Sequence, residues 1–283
     1  MSESKKQQKH FYLRNNDALM NSTKLSMKAK QSILLSKAEN TVDAYESDWD
    51  DFVDWCTYKK LSYFPATPET IVNYINDLAD YAKANTISRR ISAISENYNA
   101  SGHRDNPCMA PIVKQALRGI RRLKGTFQQG KTPVLLEDIE DILDCMTKLD
   151  VPELQLLRDK AILLIGFMGA FRRSEIAAIT VEHLQFSPQG VEIFVPSSKA
   201  DQEGQGAVVA IPHIPGSPLD AVKALQQWLR ASGISEGPIF RGFTKNMSLR
   251  KTAISDKMFA EIVKKYISLI GLDPTMYGAH SLR

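Results

Sequence analysis

The stretch GAFRRSEIAAI, residues 169–179, decides how the rest of the chain is read. It begins where the apolar run AILLIGFMGAF (161–171) ends, and it turns within two residues to RRSE. The run is shorter than the ~20 residues that a membrane-spanning helix needs, so it reads as a buried helix. Arg172 then leaves the end of a core element, and Ser174 is placed to cap the next helix. An arginine launched this way is held rigidly at the edge of the core.

Downstream of this stretch the periodicity changes. HLQFS, GVEIFVP and AVVAIPH alternate polar and apolar residues and read as three antiparallel strands, separated by PQG and by the polar stretch SSKADQEGQG. Helical patterns return at 217–231 and 254–270. Upstream, LLEDIEDILDCM and LQLLRDKAILLIGFMGA read as helices.

The first half is helical throughout. In NTVDAYESDWDDFVDWC, Val42, Tyr45, Trp49, Phe52 and Cys56 recur at helical spacing, with Asn40 or Thr41 as the cap. ATPETIVNYINDLADYAK follows with Pro68 in its first turn, and NTISRRISAISENYNASG ends at Gly102. In PIVKQALRGIRRLKG, Ile112, Val113, Ala116, Leu117, Ile120 and Leu123 share one side, with Lys114, Arg118, Arg121 and Arg122 on the other. The expected fold is mainly α with a small antiparallel β-sheet. The expected divisions are a basic arm (1–35), a helical bundle (36–123), a linker (124–135) and a mixed α+β domain (136–283). The arm reads as mobile or as a loosely docked helix.

The formal charge of +4 is modest, but its distribution is uneven. Residues 1–37 hold eight Lys or Arg against two acids. No acid lies between Asp105 and Glu137, where Lys114, Arg118, Arg121, Arg122, Lys124 and Lys131 fall. Such clustering suits a phosphate-binding face, and a solvated helix surface has the same look. Arg89 and Arg90 join the candidate set. Cys56, Cys108 and Cys145 lie far apart with no Cys-x-x-Cys, which excludes a disulfide frame or a zinc site and suits a reducing cytoplasm. No signal peptide or membrane span is visible.

Four residues stand where apolar elements give way to polar ones: Arg172, Lys199 in SSKADQEGQG, and His280 with Arg283 in HSLR. Two guanidiniums, an ammonium and an imidazole suit a phosphate gaining charge. Arginine binds phosphate oxygens bidentately, lysine can protonate a leaving oxygen, and histidine can serve as donor or acid-base group. With no metal-ligand spacing beside them, the chemistry reads as metal-free phosphoryl transfer.

GAFRRSEIAAI resembles the first arginine motif of the tyrosine recombinases, the phage-integrase family, in which Gly-Leu-Arg-x-Ser-Glu-Leu is typical. The resemblance puts Arg172 in the place of the catalytic arginine and Glu175 in that of the acidic neighbour. SSKADQEGQG resembles the family's β-hairpin lysine segment, with Lys199 as general acid. HSLR matches the His-x-x-Arg box with His280 and Arg283. NTVDAYESDWDDFVDWC, NTISRRISAI and ALRGIRR resemble the family's helical core-binding domain, so the likeness runs from about residue 36 to the end. It implies site-specific cleavage and rejoining of duplex DNA through a 3′-phosphotyrosyl link, with no nucleotide or metal cofactor, and self-assembly on paired sites.

The family's nucleophilic tyrosine follows the His-x-x-Arg box, whereas this sequence ends at Arg283. The expectation is an incomplete catalytic domain that binds DNA without cleaving it. Tyr266 and Tyr277, the tyrosines after Lys199, read as core residues. The alternatives are a non-catalytic DNA-binding regulator or decayed recombinase, and a helical protein-interaction module. A type IB topoisomerase shares the chemistry, but the helical first half favours a recombinase.

Overall fold

The computed structural model describes residues 11–14, 23–127, 130–196 and 205–282, apart from the side chains of Ala279 and His280. The chain divides into two compact units, Met1–Gln128 and Gln129–Arg283.

The first unit is helical. It comprises α1 (Met27–Leu34), α2 (Glu39–Lys59), α3 (Pro68–Ala79), α4 (Ala84–Ser101), a 3-10 turn (Pro107–Met109) and α5 (Pro111–Lys124). Helix α2 starts at Glu39, ahead of the expected caps Asn40 and Thr41, with Ala38 at the cap position. Pro68 opens α3 as expected, and the Thr67 hydroxyl accepts the Thr70 N–H. Gly102 closes α4 with φ of 72°, a left-handed geometry that glycine adopts without steric cost. Trp49, Phe52, Tyr74 and Tyr98 are fully buried and form the aromatic centre of the bundle.

One expectation changes here, and one open alternative is decided. In α5 only the middle of the apolar stripe is covered: Val113 and Ile120 are buried, whereas Ile112 is 45% and Leu123 89% exposed. These two lie at the two ends of the stripe. The basic arm is also partly docked. Phe11 is buried in the bundle core, the Tyr12 N–H donates to Asn97 Oδ1, and Arg14 forms ion pairs with Glu39, Asp43 and Glu46.

The second unit comprises α6 (Leu136–Met146), α7 (Glu153–Met168), α8 (Arg173–Ala178), a 3-10 turn (Val181–His183), β1 (Leu184–Ser187), β2 (Gly190–Val195), β3 (Ala207–Pro212), α9 (Ala221–Ser232), β4 (Arg241–Phe243), β5 (Leu249–Ala253), α10 (Asp256–Leu269) and a closing 3-10 turn (Ala279–Leu282). Strands β1, β2 and β3 form an antiparallel sheet in that order, with Leu184 opposite Ile193 and Val195 opposite Ala207. Along β2, Val191, Ile193 and Val195 are buried while Glu192 and Phe194 face out, the period-2 signature read from the sequence. The β4–β5 hairpin was not anticipated. Its strands have three and five residues and its turn is polar, too little for alternation to register.

The segment 130–135, expected to be linker, is built into this unit. The Thr132 N–H donates to Met276 O, the Val134 N–H donates to Ser281 O, and Val134 is buried in the core. Helix α7 runs through that core with residues 161–166 buried, and it packs on α9, whose Trp228 donates its indole N–H to Ile239 O.

Cys56 and Cys108 are buried, and burial pushes both thiols up to about 12, whereas Cys145 is only partly covered. Thiolate is the reactive form. A thiol reagent at pH 8 is therefore expected to label Cys145 alone in the folded protein and all three cysteines in denaturant. Peptide mapping that finds Cys56 or Cys108 labelled at a comparable rate under native conditions would contradict this packing.

Candidate functional site

Arg172 is the cap residue of α8, and the helix itself starts at Arg173, so Ser174 lies inside it rather than capping it. Glu175 serves instead. One of its oxygens accepts the Arg172 backbone N–H at 2.8 Å, and the other accepts Arg172 Nη1 at 2.6 Å. A single carboxylate thus starts the helix and aims the guanidinium. The Arg172 side chain is 21% exposed, and its bond to Glu175 uses one of the five guanidinium N–H groups.

The approach to Arg172 depends on two glycines of the preceding run. The Phe171 ring folds back over Gly169, where a Cβ would lie 2.2 Å from Cε2. Between them Ala170 adopts φ of 47°. Gly166, inside α7, is a notch. A Cβ there would stand 3.0 Å from Leu282 Cδ1, 3.4 Å from Ile176 Cδ1 and 3.5 Å from Phe259 Cζ. Ile176 belongs to α8, Phe259 to α10 and Leu282 to the HSLR turn. The arginine motif and the His-x-x-Arg box, over a hundred residues apart, therefore pack on one point of α7.

The HSLR turn is fixed from several directions. Ser281 and Leu282 are buried, the Gly278 N–H donates to Ser281 Oγ, and the Ser281 carbonyl accepts the Val134 N–H at 2.6 Å. The backbone of His280 lies in this turn. Arg283 and Lys199 lie outside the described residues. The paired ends of β2 and β3, Val195 and Ala207, flank the segment that holds Lys199.

Tyr266 is fully buried, and its hydroxyl donates to Asp159 Oδ2 at 2.9 Å. Asp159 Oδ1 meanwhile accepts two bonds from Arg158. Burial and the adjacent carboxylate push the Tyr266 phenol far above its usual range, opposite to what a nucleophile needs. Tyr277 is also buried. Both are core residues.

The candidate cationic face divides. Lys114, Arg118, Arg121, Arg122 and Lys124 are exposed along α5. Among the described residues Lys114, Arg118 and Arg122 form no ion pair; Arg121 donates to Ser88 Oγ and Lys124 to Ala79 O. Arg89 is half-exposed and pairs with Asp48 at 2.6 Å. Arg90 departs from expectation. It is 16% exposed, paired with Asp51 and 3.7 Å from Asp48, and it donates to the Tyr74 hydroxyl. It balances buried acid, and burial in turn raises the Asp48 pKa against the pull of Arg89 and Arg90. Lys131, exposed, donates to Thr275 O beside the HSLR turn. Among the described residues no cluster of His, Cys, Asp and Glu is arranged to hold a metal, and no helix is long and apolar enough to cross a membrane.

Residues 31–101 match the family description "Phage integrase, N-terminal SAM-like domain". The chain is 52% identical over 276 residues to an integrase/recombinase xerD homolog of Selenomonas ruminantium, an alignment that covers 97% of this chain and 80% of that protein. The chain belongs to the tyrosine recombinase family. Solved recombinases share its fold at low identity. The integrase of transposon Tn1549 in complex with transposon right end DNA matches at 12% identity and a TM-score of 0.59, covering 87% of this chain and 79% of that one. A lambda integrase dimer bound to a COC' core site matches at 14% identity and a TM-score of 0.55, covering 96% of this chain and 66% of that one, just under two thirds. The Gly-Leu-Arg pattern quoted above has glycine where Ala170 stands, and glycine adopts a left-handed φ such as this without steric cost.

Two substitutions test the local geometry. Ala170→Gly removes a left-handed alanine whose strain is about 1–2 kcal/mol and adds chain freedom that costs about 0.4–1 kcal/mol, so denaturation should show a gain of up to about 1.5 kcal/mol. Gly166→Val overfills the notch and should cost about 1–3 kcal/mol, with faster amide exchange at Val134 as the HSLR turn loosens. A neutral Gly166→Val with unchanged exchange at Val134 would rule out the convergence on α7.

Proposed function

We infer that this chain is a protomer of a site-specific DNA recombinase. It binds duplex DNA through phosphate contacts and holds one scissile phosphate among Arg172, Lys199, His280 and Arg283. The observation that carries the reading is the packing of the Arg172 helix and the HSLR turn against Gly166 of one helix, in a chain 52% identical to an integrase/recombinase homologue.

In this reading Arg172, aimed by Glu175, and Arg283 donate to the non-bridging phosphate oxygens as charge builds there. Lys199 protonates the leaving 5′-oxygen, and His280 supplies a further donor or acid-base group. The bond energy passes to the phosphotyrosyl link that the family forms, so the reaction needs no nucleotide cofactor. The attack is not assigned to Tyr266 or Tyr277, whose phenols are buried. The relatives named above were captured on a transposon end and on a core site as a dimer, and the same partner class is proposed here: duplex DNA carrying paired sites, with further copies of the chain. The free cations of α5, with Arg89, Lys124 and Lys131, are proposed phosphate contacts; Arg90 is left with its acids.

Binding should weaken steeply with salt. Arg118→Gln with Arg122→Gln should make the log–log salt slope shallower by about two contacts' worth, roughly 1–2 units, because each neutralised phosphate adds about 0.9 to it. In a recombination-competent form of the protein, Arg172→Ala should lower strand cleavage about 10²–10³-fold while duplex binding survives. Cleavage at the wild-type rate by that variant, read on a nicked suicide substrate, would remove Arg172 from the site.

A further inference from the structure

Between Glu236 and Asp256 the sequence contains no acid, and Arg241, Lys245, Arg250 and Lys251 fall in the gap. This is the β4–β5 hairpin. Its base is locked to the core. The Arg158 guanidinium lies 4.6 Å from the centre of the Phe243 ring and donates to Arg241 O, and the Ile254 N–H donates to Phe240 O. Arg241 is occupied locally, with Nε on Pro238 O and Nη2 on Glu236 O.

The other three cations face outward. Lys245, Arg250 and Lys251 are exposed, and among the described residues none forms an ion pair. The Arg250 stem crosses Gly242, with Cδ 3.6 Å from where a Cβ would stand, and Nε donates to Phe243 O. Its guanidinium is held in place, and among the described residues its terminal N–H groups form no hydrogen bond or ion pair. Arg250 and Lys251 are neighbours on β5 and project to opposite faces of the ribbon. The root of the hairpin is tied to the candidate active site: α10 begins three residues after β5, and its Asp256 pairs at 3.3 Å with Arg173, the residue next to Arg172.

We propose that the β4–β5 hairpin is a duplex-DNA contact of the second unit, with Lys245, Arg250 and Lys251 on backbone phosphates beside the cleavage site. The proposal rests on the recombinase reading and extends it to an element that the sequence motifs do not mark. A two-stranded ribbon fits the major groove, and cations on both of its faces can meet phosphates on either side. A protein partner would call for an apolar centre, and on the turn only Met247 offers one, 37% exposed.

The test is anisotropy titration of a labelled duplex between 50 and 200 mM salt. The variants are Lys245→Gln with Lys251→Gln, Arg118→Gln with Arg122→Gln, and the charge control Lys148→Gln. The hairpin lysines make no ion pair, and circular dichroism checks that their variant folds. The expected result is an affinity loss of about tenfold and a salt slope shallower by about 1–2 units for the hairpin pair, with Lys148→Gln like wild type. A hairpin pair within about twofold of wild type, beside a weakened α5 pair, overturns the hairpin contact and leaves the recombinase reading standing. A wild-type chain with no salt-sensitive duplex binding overturns both.

Discussion

Residue 166 carries no side chain, and the second unit is organised around that absence. Helix α7 is buried along its middle, yet at Gly166 it lets Leu282, Ile176 and Phe259 approach to within 3.0–3.5 Å of where a Cβ would sit. Glycine inside a helix costs about 0.5–1 kcal/mol relative to alanine. Here that cost accompanies a meeting of three segments, two of which carry the candidate catalytic residues. A rigid common support is what a preorganised charge-stabilising site requires, because donors that must reorient during the reaction lose much of their effect.

Within each unit the buried charged groups are paired, whereas several exposed cations are not. Asp159 is fully buried and accepts bonds from Arg158 and Tyr266, so a polar cluster joins α7 to α10 without an orphaned charge. Arg90 does the same for the acids of α2. The exposed cations of α5 and of the β4–β5 hairpin have no acids nearby in sequence, and among the described residues Lys114, Arg118, Arg122, Lys245, Arg250 and Lys251 form no ion pair. An unpaired cation exposed to water costs little and remains available to a polyanion.

The helices of the first unit were legible because the 3.6-residue period, the proline at the start of α3 and the glycine after α4 all act locally. The three-stranded sheet was legible from alternation and from its turn residues. The β4–β5 hairpin was not, because strands of three and five residues contain too few alternations. Whether the arm docks was left open between two readings for a different reason: Arg14 forms its ion pairs with residues 25 or more positions away, and no local pattern encodes such a contact.

By itself the sequence determined the family, and it set out the candidate catalytic residue types and their order, since these depend on side-chain chemistry and short spacings. Tertiary structure alone decided which arginines are free. Arg90 and Arg118 look alike in sequence, yet one is folded against Asp48 and Asp51, while the other is exposed and forms no ion pair among the described residues. It also decided that residues 130–135 belong to the second unit, and that the two distant motifs share a support at Gly166. The physical reason is common to all three. Burial and pairing depend on which surfaces meet when the chain closes on itself, and that meeting brings together residues whose separation in sequence carries no signal.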